Sequence, residues 1–525
     1  MNNIISLDCT LRDGGYCNDW NFGEQNIKKV ISGLVASQTE IIECGFLTKK
    51  CKYNLNATRF TNIMQLNNFV PSNSSASMYV LMINYGEYDS EWIPYKRETV
   101  IDGIRVAFHK KDFREALKLC RAIKEKGYCV FMQPMVTMLY SDEEFTELLM
   151  EANDILPYAF YIVDSFGTMN QNNLLHYFDL GDKYLRKEIY MGFHSHNNMQ
   201  SAFANAQCLI EKDTSRNIVV DSSVYGMGRG AGNLNAELFL NELNIKRRKK
   251  YEIKPLIQIM DSILNRFYEE KAWGYSLPNY LSAVHMIHPN YAGYLSEKKT
   301  LTVDDIDEIF AMIRANKGVE YDEKYIRDLY FQYMSAGIIR NEHLDEIKEK
   351  TKNRKILLVA PGKKAVSQKE KIHKFIVDNN PIVISINHEH PFLNTDYVFV
   401  SNIRRYQQLD DRVYSKTIST SNIKANNTYV SVDYFSLLNT VEPVRDNAGL
   451  MAIKFVVEEL DVNQVYLVGM DGYSHDLNEN YEAKEMSLFA SEELMDAMNL
   501  GMKTVINEFK KSVNINFITS SLLDE

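Results

Sequence analysis

No apolar run in this chain approaches the roughly eighteen residues that a bilayer-spanning helix needs. The N-terminus, Met1-Asn-Asn-Ile-Ile-Ser-Leu-Asp8, lacks the basic n-region and the apolar h-region of a signal peptide, so a soluble cytoplasmic protein with no membrane partner is expected. Positive charge is not in excess. Lys and Arg number 59 against 69 Asp and Glu, a formal −10, which gives no general attraction to nucleic-acid phosphates. Cysteine is sparse and one-sided: seven residues, at 9, 17, 44, 51, 120, 129 and 208, and none beyond. Loose spacing and an odd count exclude a disulfide framework, and the lack of any C-x-x-C excludes a zinc ribbon. A Walker A loop is missing too, because Gly362-Lys363-Lys364 has neither the flanking glycine nor the Ser/Thr. What remains is globular: 45% apolar, 24% charged and 525 residues long, enough for about two to four domains.

Hydrophobic period divides the chain in three. Residues 1–250 carry eight β-rich runs: Ile4–Cys9, Glu40–Cys44, Met78–Ile83, Gly103–Phe108, Cys129–Met132, Phe160–Val163, Ile189–His194 and Ile218–Asp221. Segments of helical period lie between them, including 26–35, 112–126, 142–152 and 201–210, with a last helix near 236–249. Eight alternating units in roughly 250 residues predict a closed parallel (β/α)₈ barrel. Residues 251–350 read as a helical extension ending in a charged linker, 346–355. Residues 355–525 read as a three-layer Rossmann-like α/β domain, with strands at 356–359, 382–386, 397–400, 428–432, 465–468 and 515–518 and long helices at 450–460 and about 483–511. Within it, Ser367-x-x-Glu370 reads as a capping box opening a helix. Asn387-His388-Glu389-His390 reads as a solvated polar loop.

Barrel chemistry sits at the C-terminal strand ends. Those ends carry Asp8, Arg12, Asp13, Tyr16, Glu43, Arg105, Gln133, Asp164, His194, His196 and Asp221. His194-x-His196 is the sharpest signal, since residues i and i+2 of a strand point to one face and both imidazoles can reach one ion. An isolated H-x-H means little; its position at a catalytic end, with Asp13 to complete a two-His, one-carboxylate set, gives it weight. Arg12 is expected to stabilise an oxyanion while paired with Glu43 or Asp164. Tyr16 is a candidate proton donor or acceptor, expected to have its pKa lowered by the cation and Arg12, with Glu43 and His109 next in line. Cys9, Cys17 and Cys44 have no partner that would make a nucleophile and are read as packing. The loop Gly226-x-Gly228-x-x-Ala231 formally fits a dinucleotide fingerprint, but it follows the eighth strand and is better read as a tight turn holding Asn233 near the metal.

Three of these motifs together carry a resemblance. Asp8-Cys-Thr-Leu-Arg12-Asp13-Gly14 resembles the D-x-T-L-R-D-G signature of the HMG-CoA-lyase-like, pyruvate-carboxyltransferase-like barrels. Gly192-Phe-His194-Ser-His196-Asn197 resembles their metal motif, and Gly226-Met-Gly228-Arg-Gly230-Ala-Gly232-Asn233, with Glu237 beyond, their glycine loop. The match spans about residues 1–290 and looks most like the 4-hydroxy-2-oxovalerate aldolases. It implies a divalent metal, Mn²⁺ first and Mg²⁺, Co²⁺ or Zn²⁺ as alternatives, held by Asp13, His194, His196 and Asn233. It implies Arg12 at the enolate oxygen of a 2-oxo acid. Tyr16 and Glu43 are expected as catalytic groups, and Arg105, Asp164, Thr168 and Gly230 as substrate contacts. Tyr16 stands where those aldolases carry a His. The substrate pair expected is a 2-oxo acid such as pyruvate with an aldehyde. An acyl-CoA-condensing synthase is the alternative, and a non-catalytic barrel serving a nucleotide- or sugar-handling C-terminal domain is a second one. A homo-oligomer is compatible with all three. Val468-Gly-Met-Asp471-Gly472 faintly resembles a turn of sialyltransferase-like nucleotide-handling domains.

Overall fold

The computed structural model describes residues 3–70, 77–298, 300–337, 339–425, 427–481, 486 and 491–524. Its first sheet is the expected closed barrel. The strands are β1 (Ile4–Asp8), β2 (Ile41–Leu47), β3 (Met78–Asn84), β4 (Gly103–Phe108), β5 (Cys129–Pro134), β6 (Ala159–Asp164), β7 (Tyr190–Ser195) and β8 (Ile218–Ser222). Each pairs in parallel with the next, and β1 closes on both β8 and β2. A two-residue strand, Arg59–Phe60, adds to the outside of β2. The strands are short β-branched and aromatic runs buried on both faces, as a helix-covered parallel sheet requires.

Outward side chains meet the helices in one large cluster, to which Glu24–Ala36 contributes Ile27, Val30, Ile31 and Leu34. Inward ones, including Ile5, Leu7, Ile41, Val80, Phe131 and Val219, fill the barrel. Helix starts follow local chemistry. Ser141 Oγ accepts the Glu144 N–H while the Glu144 carboxylate accepts the Ser141 N–H, a reciprocal cap opening Asp142–Ile155. Register places Val219 and Asp221, Gly192 and His194, Gly103 and Arg105, and Ile41 and Glu43 on the inward face, two residues apart. The second member of each pair is polar, so a charged layer lies toward the C-terminal mouth.

The chain forms two compact units, residues 1–297 with 310–323 and residues 298–309 with 324–525. The helical stretch after 251 is thus shared between them. In the second unit a parallel sheet carries β9 (Ile356–Val359), β10 (Ile382–Ile386), β11 (Tyr397–Val400), β12 (Thr417–Thr420), β13 (Val430–Val432), β14 (Gln464–Val468) and β15 (Asn514–Phe517). Their order is β13-β12-β11-β10-β9-β14-β15.

Several local expectations change. The strand β12 went unread because Thr-Ile-Ser-Thr offers one apolar residue, yet all four are buried. Ser367 does not cap a helix; it ends Lys363–Ser367, and the next helix, Lys369–Asn379, starts at Gln368 without a side-chain cap. The charged linker is mostly helix, Leu344–Thr351, because Leu344, Ile347 and Thr351 share one buried face. His390 is buried and bonded to the Ala360 carbonyl, 3.2 Å away, so 387–390 is not simply solvated. Of the helix expected from Ala483, the described portion is Glu492–Phe509; 483–485 and 487–490 lie outside the described residues. Among the described residues no helix is long and apolar enough to cross a membrane.

Candidate functional site

The loop after β1 turns at once into a short helix, Thr10–Asp13, which lays Arg12 and Asp13 over the barrel mouth. β7 delivers His194, and His196 follows just beyond its end. Ligand atoms of Asp13, His194 and His196 all lie within 4.8 Å of one another, and all three residues are buried. Each imidazole is fixed through its Nδ1. His194 Nδ1 meets Asp221 Oδ2 at 2.9 Å and His196 Nδ1 meets the Asp164 carbonyl at 3.2 Å. With Nδ1–H donating in both rings, each Nε2 keeps its lone pair for a ligand, the usual tuning of metal-binding histidines. His196 Nε2 has no hydrogen-bond partner, and neither has Asn233 Oδ1, whose amide nitrogen donates to Asp13 Oδ2 at 2.8 Å. Such orphaned buried acceptors fit a divalent cation held by Asp13, His194 and His196, with Asn233 Oδ1 as a fourth donor.

Beneath these atoms runs a continuous ionic layer. Arg12 bonds Asp13 through Nη1 and Glu43 Oε2 through Nε at 2.8 Å. Arg105 reaches the same Glu43 oxygen at 2.7 Å and also bonds Asp221, which accepts the Tyr161 hydroxyl at 2.9 Å. Gly192 is needed here, since a Cβ would lie 2.3 Å from the Tyr161 ring. Burial raises the Glu43 carboxyl against the pull of Arg105 and Arg12, whereas at Asp221 burial is outweighed by Arg105 and His194, which hold that carboxyl below its usual range. Burial raises the Asp13 carboxyl, but Arg12 and His196 outweigh it and hold it well below the usual range. Burial drives the His194 imidazole down to about 4, so it is neutral and ready to ligate at pH 7.

Arg12 Nη2 has no partner and is the one donor of that guanidinium left to a ligand. Tyr16 lines an adjoining cavity of about 320 Å³ with Tyr85, His109, Arg229, His288 and Glu320. Its ring packs edge-on against Trp20 and Phe46, and the Arg229 guanidinium lies 5.3 Å from its centroid. Among the protein's own groups, burial pushes the phenol up, against the pull of Arg229 and Arg12. His288 and Glu320 were not legible from the sequence, because they come from connections between helices far along the chain with no motif around them. Arg229 sits inside the glycine loop, and its position there was the available signal. Burial holds the His288 imidazole well below its usual range.

The other expected contacts are placed differently. Arg105 is fully buried within the ionic layer. The Asp164 carboxylate accepts the Thr168 and Met169 N–H groups at 2.9 and 3.1 Å, and so shapes its own loop. The Thr168 hydroxyl faces Met138 Sδ. Gly230 adopts φ +65° in the glycine loop, where a Cβ would approach Asn198 and Pro289. Glu237 holds that loop by accepting the Tyr225 N–H at 3.0 Å. Burial raises the thiols of Cys9, Cys17 and Cys44, which accords with packing roles.

Comparison with known proteins agrees with this architecture. Residues 104–263, within the barrel and the start of the helical stretch, match the family model described as HMGL-like. The chain is 25% identical over 261 residues to a 4-hydroxy-2-oxovalerate aldolase of Shewanella halifaxensis, covering 49% of this chain and 75% of that one. It is 23% identical over 267 residues to an oxaloacetate decarboxylase of Mycobacterium tuberculosis, covering 49% and 74%. Among solved structures it is similar to the N-terminal domain of a candidate aldolase from Bacteroides vulgatus, with a TM-score of 0.50, 26% identity, and 57% and 98% coverage.

Proposed function

We propose that this chain is a divalent-metal-dependent carbon–carbon lyase of the aldolase type, making or breaking a bond through the enolate of a 2-oxo acid such as pyruvate. One observation carries the reading: Asp13, His194 and His196 converge within 4.8 Å beside an arginine that keeps one guanidinium nitrogen free. A divalent ion held by these three residues and Asn233, with Mn²⁺ the first choice, would supply Lewis-acid polarisation of a keto oxygen. Arg12, locked by Asp13 and Glu43, turns Nη2 toward the oxygen where enolate charge develops. Tyr16, kept protonated by burial, donates to the alkoxide of the aldehyde partner during bond formation and recovers that proton during cleavage. The aromatic wall of Tyr16, Trp20 and Phe46 excludes water beside the reacting carbon.

The names of the similar proteins, an aldolase and a decarboxylase of small acids, support the same chemistry. The test is a pair of assays on purified protein whose metal content is known. Pyruvate with a short aldehyde should give condensation, read by chromatography of the hydroxy-oxo acid. Acetyl-CoA with a 2-oxo acid should release no thiol; release there, with none of the first reaction, makes the chain a synthase instead. Full aldol turnover in chelated protein with no metal detectable by elemental analysis ends the proposal.

A further inference from the structure

The second sheet has a crevice of its own. From β9 the chain winds outward through β10, β11, β12 and β13, then returns to the other side of β9 with β14 and β15. In open parallel sheets such a reversal parts the loops at the C-terminal strand ends and leaves a binding crevice. Here the loops are Ala360-Pro361-Gly362 after β9 and Gly469-Met470-Asp471 after β14, joined by the Gly362 N–H on the Gly469 carbonyl at 3.0 Å, and both line a cavity of about 530 Å³. That volume suits a small organic ligand. Its floor is bare main chain. A Cβ on Gly362 would lie 2.2 Å from the Gly469 carbonyl oxygen, and one on Gly469, at φ +65°, would lie 2.2 Å from that of Ala360.

Three kinds of lining define what fits. Asp471 is 9% exposed; its Oδ2 accepts the Lys364 N–H at 2.7 Å, whereas its Oδ1 is buried with no partner. Burial pushes this carboxyl up to about 6. An acceptor of this kind calls for a ligand hydroxyl. Arg405 lines the same cavity, with Nη1 donating to Gln408 Oε1 at 2.9 Å. A guanidinium at a strand-end crevice suits a phosphate. Met470, Met486, Met498 and Met502 make a soft, adaptable wall of the kind that accepts a flat ring.

We propose that this crevice binds a nucleoside phosphate, with the phosphate at Arg405, a ribose hydroxyl donating to Asp471 Oδ1 and the base against the methionines. A sugar phosphate would leave the methionine wall unused, and inorganic phosphate would leave Asp471 unused as well. The site is independent of the barrel chemistry.

The experiment is calorimetric titration of the full chain with the monophosphates and diphosphates of cytidine, uridine, adenosine and guanosine, beside ribose 5-phosphate and inorganic phosphate. At least one nucleotide should bind about tenfold or more tighter than either control. In Asp471→Asn the amide oxygen keeps the Lys364 bond and an NH₂ replaces the free acceptor. This variant should weaken the nucleotide about tenfold while leaving phosphate unchanged. Arg405→Gln should weaken both. Equal affinity for nucleotide and ribose 5-phosphate, no nucleotide binding, or a nucleotide affinity untouched by Asp471→Asn overturns the proposal. Circular dichroism of both variants separates a lost contact from a lost fold.

Discussion

At the scale of single residues, the proposed function assigns Asp13 and His194 to a cation and Arg12 and Tyr16 to the reacting groups. His194→Ala and Asp13→Ala should each abolish bound metal, read by elemental analysis of protein purified without chelator. Arg12→Ala should keep measurable metal yet lose on the order of 10²–10³ in kcat, the cost of one preorganised oxyanion donor. Tyr16→Phe should leave metal and fold intact and lower kcat by roughly 10²–10⁴; turnover within about a factor of two of wild type would make Tyr16 a packing residue and pass the proton to His109 or His288. The buried His194 also gives the apo-protein a pH dependence of known sign. Its folded pKa of about 4 lies below the ordinary 6.5, so its contribution is complete above pH 6.5 and is lost as pH falls toward 4. For this residue the loss between pH 7.5 and pH 5 is about 2 kcal/mol, and urea titrations of chelated wild type should show it relative to His194→Gln.

At the scale of elements, the site depends on strand alternation and on one glycine loop. Alternation puts Glu43, Arg105, Asp221 and His194 on the inward face without any special turn. The loop after β8 is different, because it must bring Asn233 back onto Asp13, and Gly228 makes the room. A Cβ there would lie 2.3 Å from Asn233 Nδ2 and 2.9 Å from Asp13 Oδ2. Gly228→Ala should therefore displace both side chains and weaken metal binding about 10–100-fold, as loss of supporting contacts does elsewhere, with only a small change in thermal midpoint. A competition titration with a chromogenic chelator reads this directly; unchanged affinity would show that Asn233 does not belong to the metal site.

At the scale of the whole molecule, the chain passes between its two compact units three times, after residues 297, 309 and 323. The segment 298–309 packs with the second sheet's unit: Asp305 accepts the Tyr333 hydroxyl at 2.6 Å and Glu308 pairs with Lys424 at 2.6 Å. The helix Glu323–Ser335 buries Ile326, Leu329, Tyr330, Tyr333 and Met334. A fragment cut at 355–525 would lose both helices and expose what they cover. It should unfold at lower urea than the fragment 298–525, or aggregate, because apolar burial worth about 25 cal/mol per Å² is removed. Equal midpoints for the two fragments would show that the second sheet is complete without them.

The barrel and the convergence of Asp13, His194 and His196 were legible in the sequence, and for a physical reason. Strands buried on both faces are short β-branched runs, helices between them keep the 3.6 period, and both signals are local. His194-x-His196 and Asp13 needed only a strand register to converge. The second unit was less legible where burial, rather than composition, decides: polar β12 is core, and the charged stretch around Ile347 is helix. Only the tertiary structure placed Arg105 inside the ionic layer, turned Asp164 onto its own loop and buried Tyr16 enough to raise its pKa. It alone brought His288 and Glu320, from connections between distant helices, to the cavity beside Tyr16. Those outcomes depend on which groups share a low-dielectric space, and that is a property of packing between segments far apart in the chain.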